Sequence, residues 1–193
     1  MTDWAQLYRA HVRALGDLAA ALTPDQVGAP VPASPAWTVH EVYAHLAGVA
    51  SDMVTGRTDG APSPEWTSRH VGERVVLPLA DLVTELESHQ DAVTATLVDS
   101  PGPVFDIATH HADLHEALGL HPMPEELWRP VADAVRERAG ALADTVSPYE
   151  LFRAVFSRRS RSQMQGWGSV LSAEELDAVC IFGPREDDQP VPA

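Results

Sequence analysis

Lysine is absent from this chain, and cysteine occurs once, as Cys180. A single Cys excludes an intramolecular disulfide framework and any zinc knuckle built from several thiolates. No apolar run approaches the roughly 18 residues that a membrane span requires. No segment shows persuasive strand-like alternation. Met1-Thr2-Asp3-Trp4 offers no basic stretch leading into an apolar one, so no secretory signal is expected. The expected setting is soluble, reducing and cytoplasmic. Positive charge is scarce: 13 Arg face 28 Asp and Glu, for a net charge of −15. Such a surface argues against nucleic acid and anionic membrane as partners. The missing Lys, beside abundant Ala, Val and Pro, reads as codon bias and carries no functional weight.

What is present is enough for a real core. The chain has 193 residues, 45% of them hydrophobic. That predicts one domain with a small appendage and excludes wholesale disorder. The unusual feature is nine His in an acidic chain. Solvated surface His is the ordinary explanation. A site built from His and carboxylate is the alternative, and the placement of each His decides.

The periodicity is helical throughout. Trp4, Leu7, Tyr8, His11, Leu15, Leu18 and Leu22 mark an amphipathic helix over residues 3–22. Residues 24–37, rich in Pro, Ala and Gly, read as a loop. Thr38-Val39-His40-Glu41 is a capping box, with Trp37 and Val42 placed as a hydrophobic staple. The helix it opens carries Val39, Val42, Leu46, Val49 and Met53 on one stripe and is expected to end near Gly56. Ser63-Pro64 predicts a short helix bearing Trp66. Pro78 opens a long helix with Leu79, Leu82, Leu86, Val93 and Leu97 inward. A further helix is expected from about Val104 to Leu118, with Gly119 beyond its end. Residues 124–145 read as helical, with Pro130 expected to shift or kink the register. Ser147-Pro148-Tyr149-Glu150 and Ser172-Ala173-Glu174-Glu175 open shorter helices. The fold class is all-α: four main helices in a bundle, with short C-terminal helices added. Residues 1–145 are expected to form a metal-binding helical bundle and 146–185 an extension packed on it. The polar end beyond Gly183, 186–193 above all, is expected to be a flexible tail.

The segment from Phe105 to His115 holds three His and two Asp. Asp106 and His110, four apart, share one helical face, and Asp113 falls on that face too. A carboxylate and an imidazole so spaced can share a divalent ion. A third ligand must come from another helix. His45 is a candidate, at the edge of the Val42/Leu46/Val49 stripe, with Glu41 and Asp52 on the same side. Three protein ligands would leave a position open, the arrangement of catalytic zinc. His111 falls on the Ile107/Leu114/Leu118 stripe and reads as a core histidine. His115 reads as solvent-facing, and His11, His40, His70, His89 and His121 as surface or capping residues.

At these residues the chain resembles a family. Trp37-Thr38-Val39-His40-Glu41-Val42-Tyr43-Ala44-His45-Leu46-Ala47-Gly48 is similar to a signature of mycothiol-dependent maleylpyruvate isomerase-like proteins. These belong to the wider DinB-like four-helix metalloenzymes. Asp106 through Gly119 resembles the family's second signature. Gly56-Arg57 with Pro64-Glu65-Trp66-Thr67, and Pro148 to Arg153 with Arg158 to Gln163, are similar too. The likeness spans about residues 1–185. It implies a divalent metal, usually zinc, held by His45, Asp106 and His110. Where the best-known isomerases carry Glu, this chain has Asp106, one methylene shorter. The stretch between Leu120 and Ser147 is shorter than in members with a complete C-terminal domain.

The resemblance implies a cofactor as well: mycothiol or another low-molecular-weight thiol. Cys180, distant in sequence from the candidate ligands, reads as a packing residue, so a reactive thiol would be borrowed. The implied partners are that thiol and a small organic-acid or electrophile substrate, with no nucleic acid and no membrane. A homodimer stays open. The expected reaction is cis–trans isomerisation of an unsaturated acid. A thiol S-transferase and a non-catalytic metal- or small-molecule-binding module are the alternatives. Asp113 is expected to orient a ligand. Arg57 and Arg153 are expected to take substrate carboxylates, and Arg158 and Arg159 to contact the cofactor. Arg153, Arg158, Arg159 and Arg161 form the dense basic segment, and at least two of them are expected to pair with surplus acids instead.

Overall fold

The computed structural model describes residues 2–97, 100–120, 122–168, 171–183, 185 and 187–188. Among them are helices and no strands; the two isolated bridges join Pro30 to Thr38 and Ser160 to Arg185. Helix α1 covers Trp4–Ala21, capped by the Asp3 side chain, which accepts the Gln6 N–H. A one-turn helix, α2 (Pro24–Val27), follows where a loop was expected. Its signal is local: Thr23 and Gln26 form a capping box around a Pro at the first helical position.

Helix α3 (Val39–Thr55) starts at the expected box, with Thr38 and Glu41 each bonded to the other's backbone N–H. It stops at Gly56, whose φ of 74° suits a residue without Cβ. The helix at Trp66, α4, is longer than expected, spanning Pro64–Arg74. Helices α5 (Leu79–Thr96) and α6 (Gly102–Ala117) complete the bundle. Helix α5 packs on both α1 and α3, and α6 packs on both from the other side. The cyclic order is therefore α1, α5, α3, α6. The core between them is Leu7, Val12, Leu15, Val42, Leu46, Leu82, Leu86, Val93, Ile107 and Leu114, all buried. Tyr43 crosses it to donate its hydroxyl to the Leu15 carbonyl at 2.9 Å.

Helix α7 (Glu125–Val135) continues past Pro130. The break comes later, in a 3-10 segment over Arg136–Asp144, at Gly140 with φ 51° and ψ −130°. Helix α8 (Pro148–Val155) packs on α7, followed by α9 (Arg161–Gly166) and α10 (Ala173–Val179). Arg185 reaches back and donates to the carbonyls of Ala33 and Pro32 at 2.9 and 3.2 Å. Of the expected tail 186–193, only residues 187 and 188 lie among the described residues. Asp188 accepts from Ser160 and Ser162. No helix among the described residues is long and apolar enough to cross a membrane.

Candidate metal centre

Helices α3 and α6 meet at the mouth of the bundle, and there His45, Asp106 and His110 converge. One ligand atom from each lies within 4.8 Å of the others. His45 Nε2 is 3.4 Å from Asp106 Oδ1, and His110 Nε2 is 3.8 Å from the same oxygen. The helical period puts Asp106 and His110 on one face, and the Val42/Leu46 stripe turns His45 toward it. Both imidazoles are buried, while the Asp106 side chain keeps 31% of its surface exposed. Its Oδ2 atom, however, is buried with no hydrogen-bond partner among the described residues. An orphaned carboxylate oxygen beside two imidazoles is a donor set that suits a divalent ion. The residues present fit such a metal.

The electrostatics agree. Burial by itself would raise the Asp106 pKa, but His45, His110 and Arg158 bring it down to about 2. Burial lowers the His110 pKa, against the pull of Asp113 and Asp106. His110 and Asp106 are thus disposed as neutral imidazole and carboxylate, the forms that ligate.

Behind His110 stands Asp113, its Oδ2 at ion-pair distance, 3.0 Å, from Nδ1, though off the line of a hydrogen bond. Burial opposes the charge on Asp113. The guanidinium groups of Arg158 and Arg153 nevertheless hold its pKa well below the usual carboxylate range. Behind His45 stands His70, which sequence reading assigned to the surface. It is wholly buried, with Nδ1 3.3 Å from His45 Nδ1 and Nε2 2.9 Å from Asp52 Oδ2. Two tryptophans wall the site. Trp37 lies 4.8 Å from the His45 ring and 5.5 Å from that of His110, between centroids. Trp66 stands edge-on to His70 at 4.2 Å. In the sequence Trp37 counted as half of a staple and as the first residue of the signature, and nothing local marked it as a wall.

The arginines are placed as follows. Arg153 is fully buried, bonded to Asp113, Glu116 and the Thr109 carbonyl. Arg159, also buried, bridges Glu150 and Glu116. Arg161 pairs with Asp177. Arg158 holds both oxygens of Asp113 and keeps 12% of its side chain exposed. Arg57 is about half exposed and pairs with Glu73 at 2.9 Å.

The other histidines divide. His11, expected at the surface, is wholly buried, its Nδ1 3.0 Å from His111 Nδ1 and its Nε2 3.1 Å from the Leu127 carbonyl. His111 is in the core as expected, yet its Nε2 has no partner among the described residues. His115 is partly buried and meets the Leu120 carbonyl through Nδ1. His40 reaches the Leu77 carbonyl at 2.8 Å, and His89 is partly buried. His121 lies outside the described residues.

With this geometry in view, the comparison with known families is decisive. The model of the mycothiol maleylpyruvate isomerase N-terminal domain matches residues 8–115. The chain belongs to this family. The match takes in α1 through α6 almost entirely, and with them all three candidate ligands. No curated protein and no solved structure matches the chain. The fold of this family member is the all-α, DinB-like bundle described above.

Proposed function

We propose that this chain is a metal-dependent isomerase that works with a borrowed thiol, mycothiol or a similar small molecule. Such a thiol, when bound, would supply the nucleophile for reversible addition to the double bond of an unsaturated keto acid, with cis–trans isomerisation as the net change and no thiol consumed. The observation that carries this reading is the convergence of His45, Asp106 and His110 around one point, with Asp106 Oδ2 buried and unpartnered.

His45, Asp106 and His110 would hold the metal, most fittingly zinc, by two nitrogens and one oxygen. When bound, such an ion lowers the pKa of a thiol that joins it. The chain's own residues do the rest. Asp113 steadies the His110 ring from behind. The rings of Trp37 and Trp66 exclude water from the faces of the imidazoles. Arg158, partly accessible, acts on both Asp113 and Asp106 and offers a guanidinium to an anionic ligand. Arg153 and Arg159 serve the framework, since their donors are committed to buried carboxylates. Cys180 supplies no rival nucleophile: it is buried, and burial pushes its thiol up to about 11.

The test is turnover of maleylpyruvate by zinc-loaded protein with mycothiol, monitoring both isomers and free thiol. The expected result is conversion to the trans acid with the thiol undiminished. A thiol adduct accumulating in step with thiol loss would make the protein an S-transferase instead. No conversion by protein with bound zinc would overturn the catalytic reading in favour of a binding module.

A further inference from the structure

Gly48 lies one turn beyond His45 on α3, directly beneath the ring of His70. A Cβ at position 48 would come closer than 3.0 Å to Cβ, Cγ and Cδ2 of His70. Helix α4 can therefore lay His70 onto α3 because residue 48 has no side chain. Once there, His70 is sandwiched between two polar groups. Its Nε2 faces Asp52 Oδ2 at 2.9 Å, and its Nδ1 faces His45 Nδ1 at 3.3 Å.

Donor and acceptor roles along this chain follow from its far end. Asp52 is buried, and both of its oxygens accept from Arg69. An ionised carboxylate only accepts, so His70 Nε2 carries the proton. A neutral imidazole has one N–H, so His70 Nδ1 is left as an acceptor. The hydrogen bond between the two rings then requires the proton on His45 Nδ1. His45 Nε2 is left as a bare lone pair, 3.4 Å from Asp106 Oδ1. Two acceptors facing each other repel unless a cation lies between them.

We propose that Asp52 and His70 are positioning residues that fix His45 in the Nδ1–H tautomer and so present its Nε2 to the metal. The inference rests on the metal reading of the site. It makes the two imidazole ligands unlike each other: His110 is backed directly by a carboxylate, His45 by a carboxylate acting through a second imidazole. Partners behind a ligating histidine typically change metal affinity by about 10–100-fold when removed.

Two measurements test it. In metal-free protein carrying 15N-labelled histidine, long-range 1H–15N correlation reads the tautomer of His45 directly. The expected form is Nδ1–H, and an Nε2–H form overturns the proposal. Zinc competition against a chromophoric chelator then compares wild type with His70→Leu and His70→Asn. Leu removes the acceptor, and Asn keeps one where Nδ1 stood. Affinity is expected to fall about 10–100-fold in His70→Leu and to recover largely in His70→Asn. Equal affinity in all three overturns the proposal. So does equal loss in both variants, which would mark His70 as packing alone. Wild-type protein that binds no zinc would overturn the metal reading itself, and the relay's role with it, whatever tautomer is found.

Discussion

The guanidinium of Arg153 on α8 closes on the carboxylate of Asp113 on α6, and both side chains are wholly buried. Asp113 also touches His110, so the C-terminal helices are tied through one carboxylate to a candidate metal ligand. Breaking a buried pair strands the surviving charge. Replacing Arg153 with Met should therefore cost about 3–5 kcal/mol, because Asp113 and Glu116 lose a shared partner. Urea unfolding at neutral pH measures it. A loss under about 1 kcal/mol would show that Arg158 and Arg159 suffice.

Asp106 is the acid of the proposed metal set, and its removal should uncouple zinc from stability. Wild-type protein is expected to gain about 2.7 kcal/mol when free zinc is 100-fold above Kd. Asp106→Ala should gain far less. Thermal melts with zinc and with chelator compare the two. An equal zinc-induced shift would place the metal elsewhere.

Gly48→Ala should destabilise the protein by about 1–3 kcal/mol through overpacking against the His70 ring. The cost should shrink when His70 is also Ala, since the clash and the ring vanish together. A double-mutant cycle in denaturant reads the coupling. Strict additivity would mean that the ring moves aside without penalty.

Burial lowers the His11 pKa to about 4, against the hydrogen bond its ring donates to the Leu127 carbonyl. The folded chain therefore binds this proton less readily than the unfolded chain, whose His titrates near 6.5. The contribution is fully present above about pH 6.5 and is lost as pH falls to about 4, a swing of about 3 kcal/mol. Unfolding free energies across this window should fall less steeply in His11→Gln than in wild type. Parallel slopes would show that His11 does not couple to folding.

Much of the bundle was legible because its signals are local. Thr38 and Glu41 satisfy each other's backbone donors within one turn, so the start of α3 can be read without its neighbours. Asp106 and His110 share a face by helical period alone. The pairing of the basic segment with surplus acids also followed from charge, as Arg153, Arg159 and Arg161 show. Pro130 lies mid-helix, where it removes one N–H donor, yet α7 continues past it, whereas Gly140 supplies the positive φ that breaks the segment.

Other features had no local signal. His11 and His70 look like surface residues until α7 covers the first and α3 the second. Trp37 becomes a wall only when α6 brings His110 beneath it. The scarcity of Cys and Lys determined, from sequence alone, that the chain builds no disulfide framework and meets its excess acid with Arg. Helix periods and caps determined the elements. Tertiary structure alone decided which histidines share a site and which nitrogen each one turns toward it. Those choices depend on contacts between residues far apart in the chain, and no local period encodes such contacts.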